Sequence, residues 1–172
     1  MNFIHSIGLI GCGNMGSAFL QALAERFPEM QRYVYDIDEH KCASADAQRC
    51  SSPSETVSRS DAVIIAVKPQ TLPSLAGEIS QAGGKRVISL AAGVSLNQLQ
   101  NMFQTREVVR FMPTVAALAL SSPVAVCWET ESPPAWREDA LEIAGAAGSA
   151  HWMPEELISG FIGVSGSGIA YI

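Results

Sequence analysis

Three glycines, Gly11, Gly13 and Gly16, stand in the stretch GLIGCGNMGSA directly behind the apolar run 7–10. Glycine gives up more backbone freedom on ordering than any other residue, so three at this spacing need a purpose. Between a strand and a helix, G-x-G-x-x-G suits a pyrophosphate. The first glycine makes the tight turn, the second lets the backbone approach the phosphates, and the third lets helix pack on strand. Amides of Asn14 and Met15 at the helix start then face the anion with the positive end of the helix dipole. Asp36 follows Gly16 by twenty residues and closes the next apolar segment. A carboxylate there accepts hydrogen bonds from both hydroxyls of an adenosine ribose and repels a 2′-phosphate. The chemistry is that of a nicotinamide dinucleotide, with NAD favoured over NADP. Two alternatives stay open: Asp36 or Asp38 merely caps the next helix, and Arg32, His40 and Lys41 lie near enough to admit NADP.

The elements that must hold these residues alternate along the chain. Residues 4–10 read as a strand, 14–27 as a helix with Met15, Phe19, Ala22 and Leu23 on one face, and 33–35 as a second strand. A helix over 38–48 with Asp38 as cap comes next, then a short one opened by Ser52-Pro53 and running toward Ser60. Residues 62–67 are apolar without alternation, as a parallel strand covered on both faces requires. Further helices are expected over 71–82, 96–103 and 135–147, with strands over 86–90, 107–111, 123–128 and 150–152. His151 reads as a packed residue of the last strand, and a new helix begins at Pro154. This order predicts a Rossmann-like, doubly wound α/β fold with a mainly parallel sheet.

Composition narrows the classes. Apolar residues make up 48% of the 172 and charged ones only 16%, which is ample for a core, and a 7% aromatic share suits a sheet built from Val, Ile and Ala. A net charge of −6 argues against a nucleic-acid surface, which would need clustered Lys and Arg. No run is long and apolar enough for a membrane span, and the amino terminus has no signal-peptide pattern. The four cysteines, Cys12, Cys42, Cys50 and Cys127, form no C-x-x-C pair and have no histidine at a zinc-binding spacing. They are expected to be reduced thiols in a cytoplasmic protein, with no metal site.

With GCGNMG, three further stretches define a pattern: AVKPQ at 66–70, SLAAGVS at 89–95 and VSGSGIAY at 164–171. In this order they resemble pyrroline-5-carboxylate reductases over essentially the whole chain. The resemblance implies reduction of the C=N bond of a small cyclic imine, 1-pyrroline-5-carboxylate, to proline by NAD(P)H. It places Ile10, Gly11, Cys12, Gly13, Asn14, Met15 and Gly16 in the pyrophosphate loop and Asp36 at the adenosine ribose or its phosphate. Ala66, Val67, Lys68 and Pro69 fall in a cofactor loop at a strand's carboxyl end, and Ala91, Ala92 and Gly93 in another beside the nicotinamide. Taken singly, Lys68-Pro69 could equally be a solvated strand end, and 91–93 an ordinary turn.

Three departures bear on the substrate. The family usually reads M-P-N-T-P where this chain has Met112-Pro113-Thr114-Val115-Ala116, and Thr114 has no amide fork. Ile169 stands where a proline usually follows G-S-G, and the segment around Ser52 lacks an asparagine that many members place beside the adenosine. Thr114, Ser165 and Ser167 are the substrate-side candidates, while no proton donor or other catalytic residue can be assigned. By the resemblance, residues 1–153 form the nucleotide domain. Residues 154–172 form the junction to a missing helical domain, through which the intact protein would form a homo-oligomer. A dinucleotide-binding or redox-sensing module without turnover is the alternative, as is a paralogue reducing another cyclic imine. A β-hydroxyacid dehydrogenase relative would share the glycine loop but not VKPQ and SGSGIAY.

Overall fold

Strand β1 (Ser6–Ile10) is buried along its whole length and lies between two parallel neighbours, β2 (Gln31–Tyr35) and β4 (Ala62–Ile65). The computed structural model describes residues 4–43, 45–83 and 86–167, with residues 166 and 167 described by backbone alone. Its other strands are β3 (Gln48–Arg49), β5 (Val87–Ser89), β6 (Val108–Met112), β7 (Ser122–Cys127) and β8 (Gly148–Trp152). They form one sheet in the order β3-β2-β1-β4-β5-β6-β7-β8. The chain reverses its winding direction between β1 and β4, and a crevice opens there at the strands' carboxyl ends.

Both faces of the sheet are apolar because successive side chains point to opposite sides. Ala62 and Ile64 of β4 join one core with Phe19 and Leu23 of α1 (Asn14–Arg26) and Trp136 of α5 (Pro134–Gly145). Val63 and Ile65 join the other. That second core takes Val57 of α2 (Pro53–Ser58), Leu72 and Ile79 of α3 (Leu72–Gln81), and Leu99 and Phe103 of α4 (Leu96–Phe103). Each fully buried side chain such as Ile65 contributes about 2 kcal/mol. The local signals act as expected at two helix starts. Ser52 accepts from the Glu55 N–H with Pro53 in the first turn of α2, and Ser95 and Gln98 form a reciprocal capping box on α4.

The doubly wound, mainly parallel sheet is borne out, with local corrections. Among the described residues of 38–48 there is no α-helix. Asp38 caps a single 3₁₀ turn, Glu39–Cys42, and β3 then pairs parallel with β2. Within the turn only Cys42 is buried, so the segment lacks the apolar stripe that would hold a longer helix. Strand β7 runs antiparallel to β6, because the link 113–121 has room for only a 3₁₀ turn, Val115–Ala119, and a parallel crossover needs a dozen or more residues. His151 is exposed on β8, its ring nitrogen 3.0 Å from the Ser149 hydroxyl, rather than packed. After Pro154 come a 3₁₀ turn (Glu155–Leu157), the short α6 (Ile158–Ile162) and a π-type turn.

Asp61 ties the starts of β1 and β4. Its carboxylate accepts from the His5 N–H at 2.8 Å and from the Ser6 N–H and hydroxyl at 2.9 Å each. Desolvation alone would raise its pKa; these hydrogen bonds together outweigh it and hold the group below the usual carboxylate value. A depressed folded-state pKa adds stability above the unfolded value, and that stability is lost as pH falls through the folded one. Asp61→Asn is therefore expected to lower Tm at pH 7, with the gap to wild type closing below about pH 4. Thermal unfolding of both proteins from pH 7 to pH 2.5 checks this, and a gap that stays constant with pH would refute it.

Candidate functional site

The glycine loop is shaped by close backbone contacts. Gly11 has φ +102°, and a Cβ on it would lie 2.8 Å from the Ala66 backbone. Its N–H donates to the Tyr35 carbonyl at 2.9 Å, and the Ala66 N–H donates to the Ile10 carbonyl at 2.8 Å. At Gly16 a Cβ would fall 2.1 Å from the Gly11 carbonyl oxygen. Gly13 differs, since a Cβ there would meet nothing within 4 Å. Behind it α1 starts with no capping side chain and no acid in its first turn, so its leading N–H groups have no intrahelical partner. Two glycines thus let the backbone close up, the third leaves an open side, and helical amides face it. A phosphate cradle has this form.

A groove of about 600 Å³ begins at this loop. Of the sequence-derived candidates, Ile10, Gly11, Gly13, Asp36, Ala66, Val67 and Lys68 line it. Gly16 is buried behind it and Asn14 exposed beside it, while Met15 packs against the α1 core. Pro69 opens a 3₁₀ turn leading into α3. Cys12 turns away into the core. Ala91 is buried at the end of β5, where its N–H donates to the Ser89 hydroxyl, and Ala92 and Gly93 are exposed after it. These three do not line the groove. Thr114 is buried beneath the next loop, its N–H donating to the Ser122 hydroxyl at 2.8 Å and its own hydroxyl 3.2 Å from the same oxygen. The Ser165 hydroxyl donates to the Phe161 carbonyl at 2.7 Å. The Ser167 side chain and residues 168–172, including Ile169, lie outside the described residues.

The Asp36 carboxylate has a second task that its position in the sequence did not reveal. One oxygen accepts from the Cys12 N–H at 2.6 Å and the other from the Asp38 N–H at 2.9 Å. It thereby fixes the glycine loop against the end of β2, while each oxygen keeps further lone pairs. Asp38, in turn, accepts from the His40 N–H as the cap of the 3₁₀ turn. Arg32 is committed elsewhere, to Asp46 and to the Phe27 and Met30 carbonyls. Lys41 is therefore the cation among these that reaches the groove.

Sequence reasoning missed Tyr35, Ile37, Thr71, Ser74, Leu75 and Glu78, which also line the groove. Ile37 carried a signal: an apolar residue between two aspartates, left 90% exposed beside Asp36, offers a flat surface to a base. The α3 residues carried none, because which helix face meets the crevice depends on how α3 docks. No described histidine lines the groove.

A family model described as NADP oxidoreductase, coenzyme F420-dependent, matches residues 6–93, just over half of the chain. The chain belongs to that family. The match runs from the start of β1 to Gly93, beyond the end of β5. Among curated proteins the chain is 35% identical to the pyrroline-5-carboxylate reductase of Methanosarcina acetivorans and 34% identical to that of Escherichia coli strain K12. Each match covers 96% of this chain and 65% of the relative, so the chain spans about two-thirds of the length of these oxidoreductases. A solved pyrroline carboxylate reductase of Plasmodium falciparum with NADP bound superposes with a TM-score of 0.85 at 23% identity. It covers 96% of this chain and 64% of that one and supports the fold. The resemblance carried by the four motif stretches is borne out.

Proposed function

We propose that this chain is the nucleotide-binding part of an NAD(P)H-dependent reductase that converts 1-pyrroline-5-carboxylate to proline. The observation that carries this reading is the open side of Gly13 in front of the uncapped amino end of α1. The cradle fits the diphosphate of a dinucleotide. Gly11, Gly13 and the first amides of α1 would hold the phosphates, Asp36 the adenosine ribose, and Ala66, Val67 and Lys68 the path toward the nicotinamide. Ala91, Ala92 and Gly93 would flank that ring from the end of β5. Bound there, the coenzyme would supply the hydride for the C=N carbon. The chain's own part is to bind and orient, and no proton donor is assigned. Thr114, Ser165 and Ser167 remain the candidates nearest the imine. On this reading residues 1–153 form the nucleotide domain and 154–172 the junction. Assembly into a homo-oligomer is consistent with exposed Leu157 and Val164 at that end.

NADH oxidation by the gene product with 1-pyrroline-5-carboxylate tests the activity. Coenzyme binding without oxidation would mark a binding module, and oxidation with a different cyclic imine a paralogue. Failure of both NADH and NADPH to bind at millimolar concentration would end this reading.

Asp36 underlies a preference for NADH. Its anionic oxygens line the groove and favour ribose hydroxyls over a 2′-phosphate, with Lys41 beside it leaving NADPH usable. Asp36→Ser is expected to lower the NADH-to-NADPH ratio of affinities by about tenfold, the loss of one charged hydrogen-bond acceptor. Titration with each coenzyme measures the ratio, and an unchanged value would discard the role of Asp36.

A further inference from the structure

The geometry points to a reversible disulfide site joining Cys12 of the glycine loop to Cys42 of the 3₁₀ turn, through which oxidation weakens dinucleotide binding. Both are free thiols, each 5% exposed, in the same apolar core, and their sulfurs stand 3.1 Å apart. A disulfide needs about 2.05 Å, so closure asks for an approach of about 1 Å. The other two cysteines, Cys50 and Cys127, are buried elsewhere.

Two features make the pair reachable. A cavity of about 400 Å³ beside α1 is lined by Cys12 and Lys41. The turn that carries Cys42 is exposed at Glu39, His40, Lys41 and Ala43, and a single turn of 3₁₀ helix opens at little cost. Cys42 makes the first attack because it rides on the exposed turn, and burial first, with Cys42 and Asp36 beside it, pushes the Cys12 thiol up. The oxidant is a low-molecular-weight disulfide. The Cys42 thiol loses its proton and attacks one sulfur, releasing one small thiolate. Cys12 then loses its proton, displaces the second small thiolate and forms the Cys12–Cys42 bond. Two protein thiols are oxidised, one small disulfide is reduced to two thiols, and no other electron acceptor enters.

The consequence for binding rests on the proposed dinucleotide function. The Cys12 N–H is the group that Asp36 holds at 2.6 Å, and the Cys12 carbonyl accepts from the Ser17 hydroxyl at 3.1 Å. The loop has no slack on its other side, where the Gly11 carbonyl meets Gly16. Drawing Cys12 toward the turn therefore disturbs both the loop amides and the ribose acid.

The test equilibrates the whole chain in glutathione buffers from fully reduced to fully oxidised. Trypsin separates the four cysteines into peptides 1–26, 42–49, 50–59 and 111–137. Oxidation is expected to link peptide 1–26 to peptide 42–49 with loss of two hydrogens, to leave two cysteines open to alkylation, and to reverse with dithiothreitol. NADH affinity should fall about tenfold on oxidation and return on reduction, as for the loss of one charged hydrogen bond. Cys42→Ala should show neither effect, and Cys50→Ala should show both. Glutathione adducts without an internal link, a link to Cys50 or Cys127, or unchanged affinity in the linked protein would each overturn the proposal. A reduced chain that binds no coenzyme would instead overturn the proposed function, and the wild-type peptide map would still decide the cysteine pair.

Discussion

An alanine at Gly16 is expected to force the start of α1 off the sheet, lowering stability by about 3 kcal/mol. Coenzyme binding at millimolar concentration should be lost with it. The added Cβ would lie 2.1 Å from the Gly11 carbonyl oxygen and 3.1 Å from the Ala66 Cβ. Gly11 cannot retreat, because its N–H is held by the Tyr35 carbonyl and a side chain in place of its own hydrogen would strike Ala66. Gly13→Ala supplies the contrast. Its Cβ would meet no protein atom within 4 Å, and φ of −70° suits any residue. Stability should then change by less than about 0.5 kcal/mol, while the methyl group obstructs the cradle and coenzyme affinity falls. Urea denaturation and calorimetric titration separate the two effects. A Gly16→Ala protein as stable as the wild type would show that helix and strand are not in tight contact. A Gly13→Ala protein with full affinity would move the phosphates elsewhere.

Loss of the Glu155 carboxylate is the second large effect. Arg110, on β6, is 5% exposed, and Glu155, just beyond β8, supplies its ion-pair partner. The same Glu155 oxygen accepts from the Leu96 N–H at 2.8 Å, at the start of α4. One carboxylate thus neutralises a buried cation and caps a helix while clamping the segment after β8 to the sheet. Glu155→Ala leaves the guanidinium buried and unpaired, a change expected to cost about 3 kcal/mol. Glu155→Gln keeps an acceptor and should cost less. Combining Glu155→Ala with Arg110→Met should recover most of the loss, because a buried pair replaced by apolar packing is close to neutral. The exposed neighbour substitution Glu156→Ala is expected to stay within about 0.5 kcal/mol. Urea midpoints for the four variants provide the check, and a Glu155→Ala protein no weaker than Glu156→Ala would show that the pair contributes nothing.

How much was legible in the chain depended on the range of the interaction. The glycine spacing and the unbroken run 62–67 report local backbone needs and two-sided burial, so β1, α1, β4 and the loop between them could be read in order. Ser52 and Ser95 announced helix starts because a cap acts on amides only two or three residues away. The turn at Glu39–Cys42 was misread as a helix. Its residues have adequate helix propensity, yet only Cys42 finds a core to pack against. The antiparallel β7 was missed because strand direction follows from link length and docking, not from the composition of the strand.

By itself the sequence determined a doubly wound sheet with a phosphate-shaped loop at its first turn, since the alternation of strands with helices and the glycine spacing are both local patterns. Only the tertiary structure decided what Asp36 touches, which face of α3 meets the groove, that Glu155 reaches Arg110, and that Cys12 and Cys42 share one pocket of the core. The contacts of Asp36 with Cys12, of Cys12 with Cys42 and of Glu155 with Arg110 join residues 24 to 45 positions apart. Sequence patterns report what one element requires, whereas such contacts exist only once several elements have packed together.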